Sequence, residues 1–373
     1  MRVLHVISDE NIGGAGVLLT SLLRNFDRTS VESFVALPKN SALAPRVREA
    51  NTVTYLLQHS VDRVSLGAVH EMRRLISLVM PDIVHTNAAV SARIAARLCR
   101  TPIIHTRHCC FPLTGLWQVP PMRFLGGFWN RMLSDRVIAT AEAAKHDLGA
   151  LGIPERKIHV IINGSEPIRE LSEDELQQAY RQWGLSPHDF TVGICARLVA
   201  CKGHRTFLQA ARLLCDAAPL IPFRFLIVGE GEERAELESY AKDLYLSDRV
   251  IFTGFVEDMA KIYRILRINV NCSNGTETSC LALSEGMSAE VPCLVSDYGG
   301  NRAMIGDSMA GFVYPVGDAA MLAKLILKIA TDRELEQRMR RAAYDRYLEC
   351  YTARSMADEV TALYRSIAKR KNK

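Results

Sequence analysis

The sequence predicts an α/β protein of two doubly wound parallel-sheet domains. Short β-branched and apolar runs alternate with helix-length stretches along the chain, and this β-α-β rhythm calls for parallel sheets covered on both faces. The rhythm breaks once, across the polar and acidic residues 166–189, and then resumes. A chain of 373 residues is also too long for one ordinary core, so about two domains are expected.

In the first half, residues 3–7 read as a strand stopped by Asp9 and Glu10, not as a secretory leader. Gly13, Gly14 and Gly16 read as a turn, and 17–23 as an apolar helix. Residues 34–37, 53–57, 82–86, 103–106, 137–140 and 159–162 are short and apolar enough for strands. Between them, 66–80, 90–98 and 141–151 have helical length. In the second half, strands are expected at 191–195, 224–228, 250–252, 268–272 and 292–295, with helices at 207–214, 234–244 and from 319 onward. Residues 351–369 form a long amphipathic helix. The predicted domains are 1–168 and 169–350, with the terminal segment 351–373 packing back on the first.

Hydrophobic content of 48% and charged content of 23% belong to a globular protein. A net charge of +5 is too mild to argue for nucleic acid. No apolar run approaches the ~20 residues of a membrane helix. The ten cysteines contain no C-x-x-C pair, so reduced thiols and a cytoplasmic setting are expected. Charge is unevenly spread. Residues 83–133 contain no Asp or Glu but carry Arg93, Arg97, Arg100, Arg107, Arg123 and Arg131. The aromatic runs 111–117 and 124–133 interleave with these arginines, which suits an anionic membrane surface or, equally, a core helix with a basic exposed face. Lys369, Arg370, Lys371 and Lys373 form a second basic cluster or a frayed tail.

Ligands of open α/β sheets bind beyond the carboxyl ends of the strands, so residues just after strands are the site candidates. Glu277 and Glu285 are the most informative pair, one in the loop after the strand 268–272, the other about two turns into the next helix. Around a helix N-terminus, carboxylates hold sugar hydroxyls while backbone N–H groups attract phosphate. The plainer reading is a surface acid and a capping acid. Arg197 and Lys202 follow the strand 191–195 on one loop and suit a diphosphate, or are solvated cations. Gly14 and Gly16 permit close backbone approach to a ligand, or make an ordinary turn. His108 lies just past a strand end, where a histidine can orient a hydroxyl, whereas His105 and His85 lie within strands and read as structural. There is no D-x-D triplet to bridge a diphosphate and a divalent metal, so no metal and no cofactor are expected.

Together these residues resemble the retaining family-four glycosyltransferases of the GT-B fold. The resemblance is carried by the Gly-rich turn, Pro81-Asp82-Ile83-Val84-His85-Thr86-Asn87, Thr106-Arg107-His108, Asn163-Gly164, Ala196-Arg197 with Lys202-Gly203, Val228-Gly229-Glu230-Gly231, Thr253-Gly254-Phe255 and the E-x7-E pair. It implies two Rossmann-like domains facing a central cleft, the first for an acceptor and the second for a UDP- or GDP-sugar donor. It further implies Glu285 on the donor ribose, Glu277 on the donor sugar, and Arg197 and Lys202 on the diphosphate with Gly14 and Gly16 beneath it. His108 would face the sugar's primary hydroxyl. Transfer is expected with retention and without metal, to a lipid-linked or cell-surface glycan at the inner membrane face. A sugar-nucleotide epimerase of the same fold and a non-catalytic sugar-nucleotide-binding subunit are the alternatives. Three positions depart from the family pattern: Thr278 for a frequent Gly, Ala303 for Glu and Ala141 for Ser.

Overall fold

A computed structural model describes the chain except for Ile12, residues 109–126 and the last two residues. The expected aromatic run 111–117, Arg123 and residues 124–126 therefore lie outside the described residues, as do Lys373 and the side chains of Lys369, Arg370 and Lys371. Two compact units result: Met1–Ser165 together with Ala353–Lys373, and Glu166–Thr352.

The first unit is a seven-stranded parallel sheet of β1 (Arg2–Ile7), β2 (Glu32–Pro38), β3 (Val53–Leu57), β4 (Ile83–Asn87), β5 (Ile103–Arg107), β6 (Arg136–Ala139) and β7 (Ile158–Val160), in the order β3-β2-β1-β4-β5-β6-β7. The second is a six-stranded parallel sheet of β8 (Phe190–Cys195), β9 (Phe223–Val228), β10 (Val250–Gly254), β11 (Ile268–Asn271), β12 (Cys293–Ser296) and β13 (Gly311–Tyr314), ordered β10-β9-β8-β11-β12-β13. In each sheet the winding direction reverses once, between β1 and β4 and between β8 and β11. Loops leave these neighbouring strands in opposite directions, and in open α/β sheets ligands bind beyond the carboxyl ends at such a point.

The strands read as apolar because both sheet faces are covered. β4, β11 and β12 are buried throughout. In the second unit Phe207, Phe223 and Phe225 are fully buried, each contributing roughly 1.5–3 kcal/mol of transfer free energy. The C-terminal helix Ala353–Lys371 belongs to the first unit. Its buried Tyr364 hydroxyl lies 2.5 Å from His85 Nδ1, while His85 Nε2 lies 2.7 Å from Thr106 Oγ1.

Three sequence expectations need correction. The first helix is Gly14–Asn25, so Gly14 and Gly16 belong to its opening turn, not to a turn before it. The polar segment 166–189 contains a helix, Glu173–Gln182, because Ser172 and Glu175 form a capping box that satisfies two backbone N–H groups. The edge strand β13 was not expected. It is only four residues long, and Phe312 and Val313 are half-buried.

Candidate active site

In the second unit the loops after β8 and β11 meet where the winding reverses. The β8 loop is anchored by buried Leu198, whose N–H donates to the Glu230 carbonyl at 3.0 Å. Arg197 beside it is exposed, and its side chain makes no hydrogen bond or ion pair with the described residues. The loop ends in a 3-10 turn, Ala200–Lys202, and then Gly203 at φ +69°. A Cβ on Gly203 would collide with the Cys272 carbonyl at the end of β11, so glycine lets the two loops touch. Asn274 N–H then donates to the Cys201 carbonyl at 3.0 Å and ties them together.

Lys202 and Glu277 meet across this junction. Lys202 Nζ donates to Glu277 Oε2 at 2.7 Å, and both side chains are largely buried. The same oxygen accepts from Ser273 Oγ at 2.8 Å and Asn271 Nδ2 at 3.3 Å. Glu277 Oε1 accepts no hydrogen bond from the described residues. Asn271 is itself held, because its Oδ1 accepts from Ser273 N–H at 2.9 Å and Asn301 Nδ2 at 3.3 Å. Burial pulls the Lys202 ammonium down, but the Glu277 carboxylate outweighs it and leaves the pKa raised. Gly299, at φ +57°, passes against the Glu277 backbone, where any Cβ would strike the Glu277 carbonyl.

Glu285 lies on the helix Leu281–Ser288 as its fifth residue, one turn in and not the two expected. It is half-buried, and its Oε2 is 3.0 Å from the hydroxyl of fully buried Tyr263, which also lies 3.1 Å from the Ala282 carbonyl. Burial raises Glu285 to about 7 against the opposing Tyr263 hydrogen bond. Burial raises the Cys280 thiol to about 12, with the Glu277 charge adding to the rise and Lys202 opposing it. The site thus offers a free guanidinium, an ammonium tied to a carboxylate, one open carboxylate oxygen, and a second carboxyl poised near neutrality.

In the first unit, His108 Nε2 is 2.7 Å from Asn87 Oδ1, so His108 donates there and its tautomer is set. Burial lowers His108 to about 4, and the ring is neutral at pH 7. Both residues line a cavity of about 40 Å³ with Thr106, Thr140 and Asn163, closed by apolar residues of the first and last helices. Gly14 is exposed, whereas Gly16 is buried and a Cβ on it would strike Leu43. Its lack of a side chain therefore serves helix packing. His105 Nδ1 reaches the Thr86 carbonyl at 3.3 Å and His85 bridges Tyr364 and Thr106, so both are structural. Among the described residues no cluster of three or more His, Cys, Asp or Glu could hold a metal, and no helix is long and apolar enough to cross a membrane.

Sequence reasoning gave no role to Asn271, Ser273, Tyr263 or Asn87. Two carried a legible signal: Asn271 and Asn87 are polar residues at the ends of fully buried strands, a position that needs a partner. Of the aromatic run 124–133, residues 127–132 are helical. Phe128, Trp129 and Met132 are 46%, 53% and 46% exposed there, and Arg131 is exposed beside them.

Comparison with known proteins covers both units. The family "Glycosyltransferase Family 4" matches residues 12–168, and "Glycosyl transferases group 1" matches residues 177–346. EpsD of Bacillus subtilis, a glycosyltransferase by name, is 28% identical over 319 residues, 81% of this chain and 82% of that protein. The Escherichia coli UDP-Gal:alpha-D-GlcNAc-diphosphoundecaprenol alpha-1,3-galactosyltransferase is 26% identical over 345 residues, 86% and 88% of the two chains. Among solved structures, Anabaena Alr3699/HepE in complex with UDP superposes with a TM-score of 0.84 at 20% identity, over 98% of this chain and 100% of that one. The same Anabaena protein has also been solved with UDP-glucose.

Proposed function

The chain belongs to the family-four glycosyltransferases of the GT-B fold, and from that premise we propose that it transfers a sugar from a UDP-sugar to a lipid-linked acceptor with retention and without a metal. That it is a glycosyltransferase using a nucleotide sugar follows from its relatives. The uridine donor is favoured over a GDP-sugar by the UDP complexes of the Anabaena neighbour and the UDP-Gal named for the Escherichia coli relative. The same relative's diphosphoundecaprenol acceptor favours a lipid-linked one.

The observation that carries the reading is the split use of Glu277. One oxygen is tied to Lys202, Ser273 and Asn271, while the other is open to a sugar hydroxyl. In this reading Arg197 and Lys202 bind the diphosphate. They stabilise its charge as the bond from the anomeric carbon to the diphosphate oxygen breaks. The acceptor oxygen bonds to the same face of that carbon, and its proton passes to the departing diphosphate. Glu285 binds a ribose hydroxyl, Gly14 lends its exposed backbone to the phosphate, and neutral His108 orients a sugar hydroxyl. Exposed Phe128, Trp129 and Met132 with Arg131 suit peripheral contact with an anionic membrane at the cytoplasmic face.

A thermal-shift screen of UDP- and GDP-sugars tests the donor, because a ligand that binds only the folded state raises apparent stability. UDP-sugars should raise the melting temperature of the wild type and fail to do so for Arg197→Ala. Equal stabilisation of both proteins, or stabilisation by GDP-sugars alone, would remove this assignment.

A further inference from the structure

Arg93 is a buried cation that the donor chemistry does not use. It lies on the first turn of the helix Val90–Leu98, which follows β4, and is 6% exposed. Its one hydrogen bond runs from Nη2 to Asn130 Oδ1 at 3.3 Å, and its buried Nε has no partner among the described residues. The charge felt nearby is another cation, Arg107, the last residue of β5. No carboxylate occurs anywhere in residues 83–133. Arg97, one turn further along the same helix, is more exposed and has Asp135 at 3.2 Å. The exposed arginine is thus paired and the buried one is not, which reverses the usual economy of buried charge.

Burying an unpaired guanidinium is unfavourable unless an anion completes it. Arg93 and Arg107 lie at the carboxyl edge of the first sheet, on adjacent elements after β4 and at the end of β5, where open α/β sheets take ligands. Asn130 comes from the helical residues 127–132, whose exposed Phe128, Trp129 and Met132 form a greasy surface on the same segment. The guanidinium fork matches phosphoryl oxygens, which Arg can bind bidentately.

We propose that Arg93, with Arg107 and Asn130, receives a phosphoryl group of the acceptor, the apolar residues 128, 129 and 132 taking the lipid chain attached to it. This deepens the lipid-linked acceptor reading and rests on it for the identity of the ligand. The anion site itself is separable from sugar transfer, because it can be read by binding alone.

The test uses the full chain with its nucleotide site saturated by UDP, titrated with inorganic pyrophosphate and separately with geranyl diphosphate, followed by calorimetry and melting temperature. Both probes should bind the wild type, with geranyl diphosphate at least tenfold tighter. Arg93→Met should weaken both at least tenfold. Arg93→Lys, which keeps the cation but loses the fork, should bind more weakly than wild type and more tightly than Arg93→Met. Without anion, Arg93→Met should melt no lower than wild type, because it removes an unpaired buried charge. Pyrophosphate should then raise the wild-type melting temperature and leave the variant's unchanged. Equal affinity of wild type and Arg93→Met, or no binding to the wild type, would overturn the site. Equal affinity for the two probes would overturn the lipid source while supporting phosphoryl recognition. Binding lost in Arg93→Met in a protein that transfers no sugar to any lipid-linked acceptor would uphold the anion site and refute the acceptor reading.

Discussion

Lys202 Nζ donates to Glu277 Oε2 at 2.7 Å, joining the loop after β8 to the loop after β11 across 75 positions of sequence. The pair does two things at once. It neutralises a carboxylate that is 7% exposed, and it leaves the other carboxylate oxygen with no donor among the described residues. Asn271 and Ser273 complete the support, so Glu277 is held from beneath by three donors. A rigid carboxylate beside an ammonium suits a ligand with hydroxyls next to a diphosphate, because pre-organised groups need not reorder when charge develops.

Breaking this pair one side at a time should therefore destabilise more than removing both. Lys202→Met leaves Glu277 buried with its charge uncompensated, which costs about 3 kcal/mol. Adding Glu277→Gln in the same chain should recover most of that loss, because the neutral amide needs no counter-charge. Denaturant melts of the two single variants and the double variant check the cycle. Simple additivity would mean that the ion pair does not couple the loops.

Arg197 is expected to behave differently, because it is exposed and its side chain bonds to none of the described residues. Arg197→Ala should change stability by less than about 0.5 kcal/mol. Its turnover should fall by about 10²–10³, the usual loss of one charge-stabilising donor. Steady-state kinetics alongside a thermal melt separate the two effects. An unfolded Arg197→Ala, or one with full turnover, would contradict the division of labour between the two cations.

Much of this arrangement was legible in the sequence, and the reasons are physical. β1, β4, β8, β9 and β11 are buried on both faces, so they stand out as largely apolar runs. Glu277 and Glu285 stand out because acids after such a strand cannot belong to it. Strand order and the Lys202–Glu277 contact were not legible, because both arise from pairing residues far apart in the chain. The packing role of Gly16 was hidden for a related reason. A glycine near a strand end signals close approach, but the approaching group, Leu43, is named only by the fold. Helix Glu173–Gln182 was hidden by its polarity, since it buries only Ala179 fully and its capping box was the clearer mark.

In the first unit the return of the C-terminal helix is fastened by a hydroxyl. Tyr364 is fully buried, and its OH lies 2.5 Å from His85 Nδ1. Tyr364→Phe keeps the ring and its packing but leaves that nitrogen without a partner. The expected cost is about 1–3 kcal/mol, the penalty for a buried polar atom left unsatisfied. Tyr364→Leu should cost more, because the ring contacts with His85 and Phe26 go too. Hydrogen exchange across residues 353–371 checks this, with faster exchange confined to the first unit as the expected result. Unchanged protection in Tyr364→Phe would mean that the bond contributes nothing.

Glu285 gives the molecule a pH dependence whose sign can be worked out. Its ordinary pKa is 4.5, and burial raises it to about 7 in the folded chain. Between these values the folded state binds a proton that the unfolded state has released, so stability falls as pH rises through this window. The limiting slope is about 1.4 kcal/mol per pH unit. Below 4.5 both states are protonated, and above 7 the full penalty is present. Glu285→Gln has no proton to lose, so its stability relative to wild type should climb from pH 4.5 to 7 and then level off. Donor binding should move the opposite way, because only the carboxylate is a full acceptor for a hydroxyl. The wild-type KM for donor should fall as pH rises through 7, whereas that of Glu285→Gln stays flat. His108, lowered to about 4, is already neutral across this range, so His108→Asn should keep the wild-type pH profile. Melts and donor KM measured from pH 5 to 8 on the three proteins decide it. A break near 7 that survives in Glu285→Gln would assign the titration to another group.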